Sequence, residues 1–168
     1  MWGKFMQHAR YVAFATAIAV SHMAWWPTPG HASGWEMARF RGEQTRTVQG
    51  CAERFTDDSY VCAYVRCEAT AVLALYLAAP GPDFPDQTEI DIDGDRFVVA
   101  MHPAPASKLP YVKRAAGMPA GLLNALKTGK RMRFTNAGFA KGYEVIRLTN
   151  AGRAIGRIEN ACRRERSR

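Results

Sequence analysis

Thr88-Glu-Ile-Asp-Ile-Asp-Gly-Asp-Arg-Phe-Val-Val-Ala-Met101 carries two runs of alternating apolar and polar residues on either side of Asp93-Gly94. A period of two marks a half-buried strand, and Asp-Gly suits a two-residue turn whose central positions need positive φ. The stretch predicts a tight antiparallel hairpin. With a two-residue loop Ile92 stands opposite Asp95 and Asp91 opposite Arg96. Ile90, Ile92, Phe97, Val99 and Met101 then share one face, and Asp91 and Arg96 are expected to form a cross-strand ion pair on the other.

Outward from the hairpin the chain reads as further strands. Trp35–Phe40, Thr45–Phe55 and Tyr60–Arg66 have strand character, with turns at Arg41-Gly42-Glu43 and Asp57-Asp58-Ser59. Thr70–Leu77 is apolar on both faces and fits either a central strand or a short buried helix. Residues 78–85 and 103–110 are rich in proline and read as connectors. A helix is expected with Pro119 at its first position, an apolar stripe of Leu122, Leu123 and Leu126, and a stop at Gly129. Arg131–Thr135 and Tyr143–Leu148 look like a closing strand pair. From Asn150 to Cys162, Ala151, Ala154, Ile155, Ile158 and Cys162 recur at helical spacing, with Arg153, Arg157 and Asn160 elsewhere on the helix.

Residues 1–32 have the build of a secretory signal. Lys4 and Arg10 precede the apolar run Tyr11–Val20, Pro27, Pro29 and Gly30 break its continuation, and Gly30 and Ala32 are small residues suited to cleavage after Ala32. A membrane anchor fits less well, because the continuation of the run toward Trp26 contains Ser21 and His22 and meets Pro27, whereas spanning takes about 20 predominantly apolar residues. The expected organisation is a signal at 1–32, one domain at 33–162 and a basic tail at 163–168. The domain is α+β, mainly antiparallel sheet with two short helices and two disulfides. The expected location is periplasmic or secreted.

Cys51, Cys62, Cys67 and Cys162 all fall in the mature part, and four cysteines in an exported chain read as two disulfides. Cys62 and Cys67 are five apart along one strand and face opposite ways, which argues against their pairing. Cys51 is then expected with one of them and Cys162 with the other, stapling the last helix to the sheet. A metal site at Cys62 and Cys67 has neither the right spacing nor enough histidines, since only His102 lies beyond the signal.

The candidate catalytic groups have simpler readings. Aligning Gly94 with the glycine of a calcium loop puts Ala100 where a bidentate Glu is required. His102 has no plausible nucleophile, because the cysteines are expected to be oxidised, and no Gly-x-Ser-x-Gly elbow occurs. Gly117-Met-Pro-Ala-Gly121 lacks the Gly-Lys-Ser/Thr ending of a phosphate loop. No catalytic residue, cofactor or metal is therefore assigned.

Charge is more informative. Residues 33–95 carry 12 acids and 5 arginines, a net −7; residues 96–168 carry 16 basic residues and 3 acids, a net +13. Without the two bases of the signal, the chain's +8 becomes +6. Export makes nucleic acid an unsuitable partner. Lys127, Lys130, Arg131 and Arg133 cluster in sequence around the helix and the following strand, and form the expected contact set for an anionic envelope component, a membrane surface or an acidic protein. The alternative is that the two halves interleave and neutralise each other locally.

Leu122-Leu-Asn-Ala-Leu-Lys-Thr-Gly-Lys-Arg-Met-Arg-Phe134, Tyr143-Glu-Val-Ile-Arg-Leu148 and Thr149-Asn-Ala-Gly-Arg-Ala-Ile155 resemble the closing segment of the invasion-associated locus B family of small periplasmic proteins, over residues 118–162. The positions of Trp35, Cys51 and Cys62 are in keeping. The resemblance implies a predominantly β, non-enzymatic exported protein connected with the envelope or with host interaction. The long proline-rich connectors depart from that pattern, as does Ala151-Gly152 in place of a glycine-phenylalanine pair. The expected function is binding through a basic surface. The alternatives are a secreted enzyme inhibitor using a loop such as Asp83-Phe84-Pro85 as a plug, and an enzyme using clustered carboxylates such as Asp91, Asp93 and Asp95.

Overall fold

A computed structural model describes residues 34–38, 47–54, 60–68, 70–79, 84–104, 113–139 and 143–167. The expected signal, the Arg41-Gly42-Glu43 and Asp57-Asp58-Ser59 turns and most of the two proline-rich connectors lie outside them. The described elements are β1 (Glu36–Ala38), β2 (Thr47–Cys51), β3 (Cys62–Cys67), β4 (Leu73–Ala78), β5 (Gln87–Ile92), β6 (Asp95–Pro103), β7 (Lys113–Ala115), α1 (Leu122–Thr128), β8 (Arg131–Phe134), β9 (Val145–Arg147) and α2 (Ala151–Arg166). The strands form one antiparallel sheet in the order β1-β2-β3-β4-β7-β6-β5-β8-β9. A bridge from Ala52, just past β2, to Ile146 of β9 curls the sheet round on itself.

The hairpin forms in the expected register, Ile92 opposite Asp95 and Asp91 opposite Arg96. Asp93 and Gly94 both have positive φ, 52° and 102°, as the turn demands. Ile90, Ile92, Val99 and Met101 are buried and Phe97 is half-buried against the same core. The Asp91–Arg96 ion pair does not form. The Asp91 carboxylate accepts the backbone N–H of Gly94 at 3.3 Å instead, satisfying the turn locally.

The segment that fitted strand or helix is the central strand β4. One of its faces, Leu75 and Leu77, joins the main core; the other, Ala74, Tyr76 and Ala78, packs with Cys62 and Tyr64. Burial on both faces removes the alternation that would have identified it. The first helix begins at Leu122 rather than at Pro119. Pro119 instead offers its carbonyl to Leu122 N–H at 3.2 Å in a turn, and Gly121 makes the entry at φ 83°.

The disulfides join Cys51 to Cys62 and Cys67 to Cys162. Cys51 and Cys62 are register partners across β2 and β3, while Cys67 belongs to the core that α2 covers. Ala151, Ala154, Ile155, Ile158 and Cys162 are buried as the spacing predicts, and Ala161 joins them. The helix does not end at Cys162 but runs on to Arg166, so most of the expected tail is exposed helix. Arg163, Arg164 and Arg166 in its last turn complement the helix dipole, and Arg166 Nη2 reaches the Ala71 carbonyl at 2.7 Å.

Candidate functional site

The expected contact set lies on the α1–β8 connection and β8 itself. Met132 and Phe134 point into the core, which turns Arg131 and Arg133 outward, and Lys130 is exposed beside them. Asp93 fixes this connection to the hairpin: its carboxylate accepts the backbone N–H groups of Lys130 at 2.6 Å and Arg131 at 3.1 Å. The side chains of Lys130 and Arg131 are thereby left to solvent. Lys127 turns the other way, toward α2, where its Nζ lies 3.0 Å from Glu159. Arg133 stands opposite Asp91 in the register. The structure thus groups Lys130, Arg131 and Arg133 and commits Lys127 elsewhere.

A second basic row was not singled out from the sequence. Arg153, Arg157, Asn160 and Arg164 follow one another at spacings of four, three and four, one exposed row along α2. Glu159 lies off this row, holding Lys127 and Arg163, and Glu165 turns toward the sheet, with Oε2 3.5 Å from Cys67 Sγ. Among the described residues no carboxylate pairs with Arg153, Arg157 or Arg164. Met37 of β1, 42% exposed, borders the row, and with Arg157, Asn160 and Arg164 it lines a shallow, open depression of about 350 Å³. The spacing was readable in the sequence; that the row is unpaired depends on where α1 and β3 stand.

Several acids of the first half are engaged among the described residues. Glu53 pairs with Arg147, and Asp86 with Lys113 at 3.1 Å. Glu68 accepts two bonds from Arg114, Nε and Nη2 both at 2.7 Å, and one from the Tyr76 hydroxyl at 2.6 Å. The Arg114 bonds hold the Glu68 carboxyl below its usual range. Burial, reinforced by Glu68, pushes the Tyr76 phenol up, and the Glu68 bonds raise the Arg114 guanidinium further. Held by three donors, and with its pKa lowered by them, Glu68 is placed as a structural acceptor.

Several residues named for the alternative readings already have structural partners. Phe84, named in the inhibitor reading, is buried and packs edge-on against Phe134 and Phe139, with ring centroids 5.2 and 5.0 Å away. Asp91 and Asp93 accept backbone N–H groups as turn and connection caps. His102 is exposed on β6 opposite Arg114. Among the described residues no three His, Cys, Asp or Glu side chains group to hold a metal.

The architecture is that of a disulfide-bonded antiparallel sheet with a helix pair laid on it, presenting two basic strips. No family model, curated protein or solved structure matches the chain.

Proposed function

We propose that this is an exported, non-enzymatic binding protein, periplasmic or secreted, whose basic surface engages an anionic envelope component or an acidic protein partner. The observation that carries the reading is the uneven fate of the charges. Among the described residues Glu53, Glu68 and Asp86 of the first half are taken up by ion pairs and Asp91 and Asp93 cap backbone N–H groups, while Lys130, Arg131 and Arg133 on one strip and Arg153, Arg157 and Arg164 on the other stand exposed. Two disulfides and a leader of secretory type support an oxidising compartment. The likeness to invasion-associated locus B proteins supports a role at the envelope or toward a host.

The test is affinity capture with the processed protein in its native compartment, comparing wild type with a variant in which these six basic residues are alanine. Capture of a defined component that weakens steeply with salt, and is lost in the variant, is the expected result. The same capture with the same salt slope in both proteins would exclude the basic surface.

A further inference from the structure

We propose that the outer face of α2, with Arg153, Arg157, Asn160 and Arg164 in one row and Met37 beside it, docks on a membrane surface rich in anionic phospholipid headgroups. The inference rests on the basic-surface reading and assigns it to one strip and one partner.

Three observations select that partner. The row is straight and rigid: Arg153 to Arg164 span about 16 Å of helix, at 1.5 Å per residue. The helix beneath is held by its buried apolar face and by the Cys67–Cys162 bridge. Such a line of cations meets a flat anionic surface without rearrangement. The cations are also arginines, whose planar guanidinium binds phosphate oxygens in pairs and gives up hydration more readily than an ammonium.

The third observation is the depression. Arg157 and Arg164 flank it, Asn160 supplies an amide donor and Met37 an exposed thioether. Two guanidiniums beside an apolar, polarisable side chain match a phosphate that carries an apolar body. An acidic peptide would satisfy the arginines but gives Met37 no reason to stand at the rim. The apolar face of α2 is already spent in the core, and among the described residues no helix is long and apolar enough to cross a membrane. Contact through this face is therefore peripheral and sensitive to salt.

The test uses the full chain, expressed and purified as the host processes it, in co-sedimentation with vesicles of phosphatidylcholine alone and of phosphatidylcholine with one-third phosphatidylglycerol. The phosphatidylcholine arm measures any contribution of apolar segments. The wild type should prefer the anionic vesicles, and the preference should fall as salt rises. Replacing Arg157 and Arg164 together by Gln should weaken binding roughly 30-fold, taking the usual contribution of each base near an anionic surface. The Arg157→Lys, Arg164→Lys protein keeps both charges but loses the paired guanidinium bonds, and should bind more weakly than wild type and more tightly than the Gln variant. An unchanged thermal melt in both proteins separates lost contact from lost fold. Wild-type binding by the Gln variant overturns the proposal. Loss that instead follows Arg131→Gln, Arg133→Gln overturns it too while leaving the basic-surface reading standing. A soluble polyglutamate that binds in place of vesicles, through the same two arginines, replaces the membrane by an acidic protein. Absence of binding to either anionic probe removes the membrane proposal, and only the capture experiment then decides the broader reading.

Discussion

Trp35 and Gly50 make one joint that neither residue announces. The β1–β2 register puts Glu36 opposite Gln49, and so Trp35 opposite Gly50. The indole lies so close over the glycine that a Cβ there would come within 2.2 Å of Trp35 Nε1. The backbone N–H of Trp35 also reaches the Thr149 carbonyl at 2.7 Å, tying β1 to the loop that starts α2. Gly50→Ala forces the ring out of its slot, and a cost of about 2–3 kcal/mol is expected for such overpacking. Urea unfolding followed by Trp35 fluorescence would measure it; loss below about 0.5 kcal/mol would mean the ring relocates freely. Asp93-Gly94 could be read as a turn from two adjacent residues. The Trp35–Gly50 contact could not, because it exists only after two strands have found their register.

Elements were legible where their pattern is local. The β5–β6 hairpin and the buried face of α2 follow from periods of two and of 3.6, and the opposite facing of Cys62 and Cys67 removed one disulfide pairing in advance. The three-residue strand β7, Lys-Arg-Ala, has no apolar alternation to betray it, yet it joins β4 to β6 and so connects the two parts of the sheet. Its strand identity comes entirely from its neighbours. Likewise, α2 extends beyond Cys162 because the bridge to Cys67 and the Arg166 bond to Ala71 anchor a turn that composition alone marks as solvated tail. The two bridges should differ in weight. Cys51–Cys62 spans 11 residues and Cys67–Cys162 spans 95, and the chain-entropy model assigns them about 3 and about 4.7 kcal/mol. The Cys67→Ser, Cys162→Ser protein should lose the more stability by urea denaturation, and should show the earlier loss of protection in α2 amides. Equal losses from the two double variants would mean that the unfolded chain already holds α2 near the sheet.

Across the whole molecule, the acidic first half and the basic second half are folded into one another. The sheet order interleaves them, with β7 seated beside β4 and β8 beside β5, and the ion pairs Asp86–Lys113, Glu68–Arg114 and Glu53–Arg147 all cross the divide. The sequence exposed the asymmetry but not its resolution: three ion pairs join the halves, Asp91 and Asp93 lie beside the β8 strip, and the Arg153, Arg157 and Arg164 row of α2 has no paired carboxylate among the described residues. Among these pairs Glu68–Arg114 is the one set deep enough to affect stability, its partners 20% and 29% exposed and joined by two bonds. Because Arg114 depresses the folded-state pKa of Glu68, the pair's contribution is fully present above the unfolded value of about 4.3. It drains away as pH falls from there through the depressed folded value. Tyr76 acts in the opposite sense: its raised pKa gives stability present below the unfolded phenol value near 10 and lost as pH climbs through the folded one. Glu68→Gln, which keeps the shape and removes the charge, should cost about 1–2 kcal/mol at neutral pH once partial exposure is allowed for. It should also flatten the acid limb of the stability curve below pH 4.3. Urea midpoints from pH 2 to pH 7 would show both effects, and an acid limb as steep in Glu68→Gln as in wild type would assign the acid sensitivity to other carboxylates.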